Sequence, residues 1–133
     1  MLMPMAAEDV VLGIFRYMKL HEEAKLTADR ETLHKAFYAI KEKYPKFMTV
    51  FTFRDREQFP ESSQLDQALS NLDAAGLISR QNLTPRYYRI EDPLLSSYDK
   101  FSKAILENEG IREADIEVLA REIEPIVCSS GAA

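Results

Sequence analysis

The chain has 133 residues, of which 46% are hydrophobic and 29% charged, and its formal net charge is −5. This length is typical of one domain, and no stretch approaches the roughly 18 to 20 apolar residues that cross a bilayer. The acidity is concentrated in the second half: residues 1–60 hold 10 basic and 9 acidic side chains, whereas residues 61–133 hold 7 and 13. That balance argues against a molecule that binds polyanions over its whole surface.

Cysteine usage and the N-terminus bear on the compartment. Cys128 is the single cysteine, which excludes an intrachain disulfide and suits a reducing environment. Residues 1–7 contain no basic residue and no long apolar run, so a secretory signal is not expected. We therefore predict a cytoplasmic protein without membrane contact, with flexible tails at residues 1–7 and 125–133.

Two helices are predicted in the N-terminal part. Asp9 is placed to cap the first one, and a polar break over residues 21–28 separates it from the second, which ends before Pro45. In both segments the apolar residues recur at the spacing of one helical face. These residues are Val10, Val11, Ile14, Phe15 and Met18 in the first helix, and Leu33, Ala36, Phe37, Ile40 and Tyr44 in the second.

The middle of the chain alternates between extended and helical patterns. Residues 49–53 are β-branched or aromatic and predict a short strand. A third helix follows, capped by Ser62 or Ser63 and stopped by Gly76. Its apolar stripe is Leu65, Ala68, Leu69 and Leu72. Two short strands, at residues 77–78 and 87–90, are joined by a polar turn through Asn82 and Pro85 and predict a hairpin.

Two more helices are predicted after the hairpin. The pair Asp92-Pro93 is a strong start signal, since proline at the first helical position loses no hydrogen bond. That helix runs to Asn108 and Gly110, with Leu94, Tyr98, Phe101 and Ile105 at helical spacing. The last helix ends before Pro125, and its apolar face is formed by Ile116, Leu119, Ala120 and Ile123.

The order helix, helix, short strand, helix and two-stranded wing predicts an α+β winged helix with two additional C-terminal helices. We expect a single domain over residues 8–124, with a winged-helix core at 8–91 and a helical extension at 92–124. A plain helical bundle ranks second, because residues 76–90 are difficult to place on helices. The predicted core consists of Ile14, Phe15, Met18, Phe37, Ile40, Leu65, Leu69, Leu72, Ile78 and Tyr88.

About half of the chain resembles small bacterial winged-helix-like proteins of the Panacea antitoxin and adaptor type. The resemblance begins with the run 33–38 (LHKAFY) and a Phe-rich extended stretch. It continues with Phe59-Pro60, where that family has Gly-Pro, and with a helix whose leucines precede Gly76-Leu77-Ile78. The resemblance implies protein binding, such as neutralising a toxin or presenting a client, and it carries over no catalytic residues.

No pattern in the sequence points to an enzyme, a cofactor or a metal. The four glycines are scattered, so no phosphate-binding loop is predicted. His21 and His34 are the two histidines, and we expect both to be solvated, one in a loop and one on a helix surface. The paired carboxylates fall in turns and on polar helix faces, where catalysis is not expected.

Nucleic-acid binding is the alternative to protein binding. On the third helix, three amides could read bases, and three wing arginines could contact phosphates. These candidates are Gln64, Gln67, Asn71, Arg80, Arg86 and Arg89. Asp66 and Asp73 on the same helix would face phosphates of like charge, and this disfavours DNA.

We therefore predict a non-enzymatic interaction module that binds a protein partner, with a DNA-binding transcriptional regulator as the alternative. The predicted winged-helix core is complete without the C-terminal helices, so the apolar faces of these helices need another surface to pack against. A homodimer is the expected solution. Its predicted interface consists of Leu94, Leu95, Tyr98, Phe101, Ile105, Leu119 and Ile123.

Overall fold

The computed structural model describes residues 4–21, 25–55, 58–82 and 86–128. The chain is α+β, as predicted. The helices are α1 Ala7–Leu20, α2 Arg30–Lys43, α3 Ser63–Ala74, α4 Pro93–Ser97, α5 Lys103–Asn108 and α6 Glu113–Val127, with a π-helical turn, Tyr98–Ser102, joining α4 to α5. The strands are β1 Lys25–Thr27, β2 Ile78–Gln81 and β3 Tyr87–Ile90. The predicted turn residue Pro85 and tail residues 1–3 and 129–133 lie outside the described part.

The three strands form one antiparallel sheet in the order β1-β3-β2. Leu26 of β1 and Arg80 of β2 both pair with Tyr88 of β3, so these three side chains share a face. That face is the inner one, because Leu26 is buried, as are Ile78 and Ile90. The hairpin formed by β2 and β3 therefore directs Arg80 and Tyr88 towards the helices.

The predicted strand over residues 49–53 is wrong, and the first strand is β1, within the segment predicted as a polar break. Residues 44–51 form successive turns, closed by hydrogen bonds such as that from the Met48 amide to the Pro45 carbonyl, at 3.3 Å. The Lys41 ammonium donates to the carbonyls of Met48 and Phe51. These turns bury the side chains of Met48 and Phe51 completely, so the apolar run contributes to the core without forming a strand.

Helix α1 lies at the centre of the molecule and contacts both α3 and α6. Its residues 9–15 are all buried, including Gly13. The prediction that Asp9 is the N-cap of α1 is wrong. Asp9 stands at the third helical position, where its carboxylate accepts a hydrogen bond from the Ala6 amide at 2.9 Å. Its other oxygen accepts one from the Ser102 hydroxyl at 2.7 Å. The same carboxylate thus caps α1 and holds the π-helical turn against it.

Helix α3 begins and ends where the sequence predicts. The Ser62 hydroxyl accepts a hydrogen bond from the Leu65 amide, and Gly76 takes a positive φ of 76°. The Leu77 amide then donates to the Leu72 carbonyl at 2.9 Å, which is the hydrogen bond of a Schellman motif. Of the ten predicted core residues, Tyr88 alone is not fully buried; it is half-buried, and its neighbour Ile90 is buried.

The helical rod of α4, the π-helical turn and α5 buries a different set of residues from the predicted stripe. Phe101 is 64% exposed and Ile105 is half-buried, whereas Ser102 and Leu106 are buried. The cause is the π-helical turn, which adds about one residue to a turn and rotates the following residues relative to an α-helix. Ser102 and Leu106 consequently join Leu94 and Tyr98 on the inner face.

The predicted dimer interface is wrong for four of its seven residues. Leu94, Tyr98, Leu119 and Ile123 are buried within their own chain. The physical reason is that the C-terminal helices pack in cis, with α6 against α1 and α2 and the π-helical turn against α1. Of the other three, Leu95 and Ile105 are half-buried and Phe101 is exposed. The homodimer itself stays a prediction.

The predicted helix end before Pro125 is also wrong. Helix α6 continues through Pro125 to Val127, so residues 125–127 belong to the folded domain and not to a tail. Pro125 lacks one backbone donor, but the Cys128 amide still donates to the Glu124 carbonyl at 2.8 Å. Val127 is 1% exposed, so its burial stabilises this last turn. None of the helices within the described ranges is long and apolar enough to span a membrane.

Candidate functional site

His34 is the centre of a polar cluster between α2 and α3. We predicted a solvated histidine here, and this is wrong, because the His34 side chain is fully buried. Its Nδ1 accepts a hydrogen bond from the Ser62 amide at 3.0 Å, which places the ring proton on Nε2. Nε2 then donates to the Asp66 carboxylate at 2.9 Å. The tautomer of His34 is therefore fixed by the start of α3.

Arg30 completes the cluster from the N-terminal turn of α2. Its guanidinium binds both oxygens of Asp66, with Nε at 3.0 Å from Oδ1 and Nη2 at 2.6 Å from Oδ2, and it also forms an ion pair with Glu61. Hydrogen bonds to two carboxylates raise the pKa of Arg30 above its ordinary value. The bond to Asp66 has the larger effect and the bond to Glu61 the smaller one. A planar guanidinium suits this two-point geometry, which a lysine does not reproduce.

The cluster also determines the charge state of Asp66. Partial burial raises the pKa of this carboxyl, but hydrogen bonds from Arg30 and His34 lower it more, so its pKa lies below the ordinary value. Asp66 is therefore ionised at neutral pH. Its charge is directed at Arg30 rather than at solvent, so this residue repels an approaching anion less than the sequence alone suggests.

The arrangement of His34 and Asp66 does not form a catalytic triad. Both ring nitrogens of His34 are already hydrogen-bonded, Nδ1 to a backbone amide and Nε2 to a carboxylate. The Ser62 hydroxyl donates to the Gln64 side chain at 3.1 Å and does not contact the imidazole. A general base must have a free nitrogen within reach of the nucleophile, and His34 has none. The cluster ties α2 to α3.

A cleft of about 320 Å³ opens beside this cluster, between α2, α3 and the β2–β3 hairpin. We call it the hairpin cleft. It is lined by Ala28, Arg30, Leu33, His34, Asp66, Leu69, Ser70, Asp73, Arg80 and Tyr88. Small-ligand sites in proteins occupy about 300 to 1,000 Å³, so this volume fits one amino-acid side chain with its backbone.

The hairpin contributes Arg80 and Tyr88 to this cleft from its inner face. Half-burial raises the pKa of Tyr88, and the positive charge of Arg80 opposes that effect. Tyr88 therefore keeps its proton at neutral pH and can donate a hydrogen bond into the cleft. Within the described residues, Arg80 forms no ion pair and no hydrogen bond.

The candidate base-reading amides are engaged within the chain. Gln64 accepts a hydrogen bond from the Thr52 amide at 3.0 Å, and Gln67 donates to Asn71 at 2.8 Å. Asn71 in turn donates to Glu8 of α1. The structure thus brings the three amides to one helix, as predicted, but gives each of them an intrachain partner.

The three wing arginines do not act as one group. Arg80 lies in the hairpin cleft, whereas Arg89 lies on the outer face of the sheet, where it pairs with Glu91 at 3.2 Å. Arg86 is exposed just before β3. The outer face also holds Lys25, whose ammonium lies 5.0 Å from the ring centre of Tyr87. A phosphate-binding surface on the outer face would therefore include Lys25, which sequence reasoning missed.

Sequence reasoning also missed Arg30 and His34 as partners. A signal was present: Arg30, His34, Phe37 and Lys41 follow one another at steps of four, three and four residues, which places them on one helix face. Three basic side chains on the same face as a core phenylalanine indicate buried polar contacts. Their partners, Asp66 and Ser62, lie about thirty residues away and cannot be read from local spacing.

No protein-family model, curated protein or solved structure matches this chain. Across the described ranges, no group of three or more His, Cys, Asp or Glu residues is placed to hold a metal ion. The hairpin cleft and the exposed face of α3 are therefore judged on their own chemistry.

Proposed function

We propose that this chain is a non-enzymatic winged-helix module that binds a protein partner through α3 and the β2–β3 hairpin. The winged-helix assignment is supported by the element order helix, strand, helix, helix, strand, strand over residues 7–90 and by the sheet order β1-β3-β2. Helix α3 lies against β2, so a partner that approaches this side can contact both elements.

The observation that supports a protein partner over DNA is the engagement of the α3 amides. Reading an adenine requires both the oxygen and the N–H of an amide to face the base. Asn71 uses its N–H groups on Glu8, and Gln64 uses its oxygen on the Thr52 amide. The helix carries no Lys or Arg to hold it against phosphates. Protein interfaces require neither feature.

Charge reversal on α3 tests this proposal. Asp73 is exposed near the end of α3, and Glu109 is exposed beyond α5. The tagged chain, Asp73→Lys and the control Glu109→Lys are used to capture partners from the host, and the captured proteins are then purified and titrated by calorimetry. We expect a partner that binds the wild type and the control equally but loses affinity for Asp73→Lys. Equal binding by all three variants would place the contact elsewhere and contradict the proposal.

A DNA-binding regulator is the second candidate, and one observation favours it. Arg80 and Arg86 are exposed and lack an acidic partner among the described residues, and Lys25 lies on the outer face of the same sheet. These cations could contact phosphates through the wing.

Duplex DNA titration separates the two candidates. For the protein-binding module we expect a Kd for generic labelled duplex weaker than about 10⁻⁴ M near physiological salt. Micromolar binding that falls steeply with salt, and that is lost in the triple variant Arg80→Gln, Arg86→Gln and Arg89→Gln, would instead establish the regulator.

A further inference from the structure

The hairpin cleft is lined by two opposite charges that do not pair with each other. Asp73 enters from the last turn of α3, and Arg80 enters from β2. No ion pair of 4.0 Å or less joins them, and neither forms an ion pair with any other described residue. Arg30 and Asp66, in contrast, are already joined to each other by two hydrogen bonds. The cleft therefore keeps one free cation and one free anion on its described lining.

Uncharged groups between these charges add to the available chemistry. The half-buried Tyr88 hydroxyl and the exposed Ser70 hydroxyl line the cleft, and neither forms a hydrogen bond with the described residues. Leu33 and Leu69 form an apolar floor beneath them. The cleft thus offers hydrogen-bond donors at Arg80, Tyr88 and Ser70, an acceptor at Asp73 and an apolar part of the lining at Leu33 and Leu69.

A ligand that binds both residues must carry an anion for Arg80 and a hydrogen-bond donor for Asp73. The Arg80 guanidinium matches a carboxylate through two parallel hydrogen bonds, and Asp73 requires an N–H. An acidic residue in a polypeptide provides both groups, the carboxylate from its side chain and the N–H from its backbone. A phosphodiester supplies no donor for Asp73 and would face that carboxylate with like charge.

The hairpin itself is basic, although the whole chain is negative and the cleft lining is balanced, with Arg30 and Arg80 against Asp66 and Asp73. Residues 78–90 contain three arginines and no acidic residue. Lys25 adds a fourth cation on the outer face of the sheet, and Glu91 offsets one of them through Arg89. An acidic segment approaching the hairpin is therefore attracted locally at distances below the Debye length, about 8 to 10 Å.

We propose that the hairpin cleft binds an acidic side chain of a partner polypeptide, with its carboxylate on Arg80 and a backbone N–H on Asp73. This inference deepens the proposed protein-binding function and names the chemistry of the partner segment. Tyr88 and Ser70 donate to the remaining carboxylate lone pairs, and Leu33 and Leu69 contact the methylene groups.

The test uses the full chain and a capped peptide, acetyl-Ala-Ala-Glu-Ala-Ala-amide, followed by NMR of backbone amides and of the arginine Nε–H groups. We expect the peptide to shift the Arg80 Nε–H and the amides of Ser70, Asp73 and Tyr88. The counterpart with Gln in place of Glu is expected to bind at least about tenfold more weakly, since its amide is uncharged and offers the guanidinium one acceptor oxygen instead of two.

Three variants make the result specific. Arg80→Gln is expected to weaken the Glu peptide about tenfold or more, whereas Arg112→Gln, an exposed arginine at the start of α6, removes the same charge and is expected to leave binding unchanged. Asp73→Asn is expected to weaken binding of the peptide but not binding of free acetate, because acetate has no N–H to donate. Equal binding of the Gln peptide, or equal losses in Arg80→Gln and Arg112→Gln, would overturn the proposal.

Free glutamate and inorganic phosphate are titrated in parallel. Phosphate that shifts the Arg80 Nε–H as strongly as the peptide does would overturn the proposal, because the site would then bind any anion. If the cleft fails these tests while the captured partner still depends on Asp73, the proposed function stands and the cleft inference falls. Micromolar duplex binding that requires the wing arginines would reject the proposed function itself.

Discussion

Gly13 of α1 lies directly against Ile116 of α6. A Cβ atom built on Gly13 would lie 3.2 Å from Ile116 Cγ2 and 3.3 Å from the Tyr98 ring. Both neighbours are almost completely buried, so neither can move aside freely. The absence of a side chain at residue 13 is what allows the C-terminal helices to pack in cis on α1, and it explains why these helices do not leave the large apolar face that the sequence suggested.

Gly13→Ala is expected to destabilise the protein despite alanine's higher helix propensity. The propensity gain is about 0.5 to 1 kcal/mol, whereas overpacking a rigid core costs about 1 to 3 kcal/mol. We therefore expect a net loss of about 1 kcal/mol in the free energy of unfolding, measured by urea denaturation. Ile116→Val removes the Cδ1 methyl, which would lie 3.3 Å from the added Cβ, so the double variant Gly13→Ala with Ile116→Val is expected to recover part of the loss. An unchanged or higher midpoint for Gly13→Ala alone would contradict the close packing.

Removing the carboxylate of Asp66 leaves the buried Nε2–H of His34 without an acceptor. Asp66→Ala is expected to lower the free energy of unfolding by about 1 to 3 kcal/mol, the cost of an unsatisfied buried donor. Asp73→Ala is the matched control on the same helix, exposed and without an ion pair among the described residues, and a change within about 0.5 kcal/mol is expected. Equal effects of the two substitutions would show that the His34 contact contributes nothing.

The lowered pKa of Asp66 predicts a specific acid sensitivity. Burial opposes ionisation of this carboxyl, but Arg30 and His34 together hold its folded-state pKa below its ordinary value. The contribution of ionised Asp66 to the free energy of unfolding is therefore fully present above about pH 4, and it is lost as the pH falls through the lower folded-state pKa. The free energy of unfolding, measured by urea between pH 2 and 6, is expected to fall less steeply in Asp66→Asn and Arg30→Gln than in the wild type. Parallel curves for all three would contradict this.

Leu69 links α3 to the core and is 6% exposed. Leu69→Ala is expected to cost about 2 to 5 kcal/mol, as the sum of lost burial and of the cavity that remains. Leu20→Ala is the control, because Leu20 is 52% exposed at the end of α1, and a change within about 0.5 kcal/mol is expected. A denaturation midpoint that Leu69→Ala leaves in place would show that α3 is not packed as described.

Deleting the chain after Asp92 is expected to abolish cooperative folding. The deletion removes the helices that cover α1, including the residues that pack on Gly13 and the hydroxyl that donates to the buried Asp9. Circular dichroism during urea titration is expected to show a broad transition instead of a cooperative one. The homodimer is tested separately by light scattering on the full-length chain, where a monomer mass at high micromolar concentration rejects it.

Most of the secondary structure could be predicted from residues that are close together in the sequence. Ser62 and Gly76 bound α3 because capping and a positive φ depend on a few neighbouring residues. Strand β1 could not be predicted, because three residues show no periodicity and its pairing with β3 spans about sixty positions. The run at residues 49–53 has strand composition, but non-local contacts override it: the Phe51 ring packs against Phe37, with ring centres 5.6 Å apart.

The packing of the C-terminal helices could have been predicted from α1. Residues 10–15 (VVLGIF) are six consecutive apolar residues, so the helix is apolar on more than one face. A helix of this kind is buried on all sides and needs partners beyond α2 and α3. The candidate site could not be predicted to the same extent, since the hairpin cleft depends on the relative placement of α2, α3 and β3, which no local pattern encodes.

The wide π-helical turn at Tyr98–Ser102 sets the phase of the C-terminal rod. The buried residues Leu94, Tyr98, Ser102 and Leu106 repeat at intervals of four. In an uninterrupted α-helix this interval would drift by about 120° over three steps, a third of the circumference, and would carry Leu106 away from α1. Deleting one residue between Tyr98 and Ser102 would convert this turn to an α-helix and leave the four buried residues at intervals of four, three and four, so Leu106 would still face α1. The turn therefore accommodates one extra residue in the rod without turning the buried face of α5 away from α1.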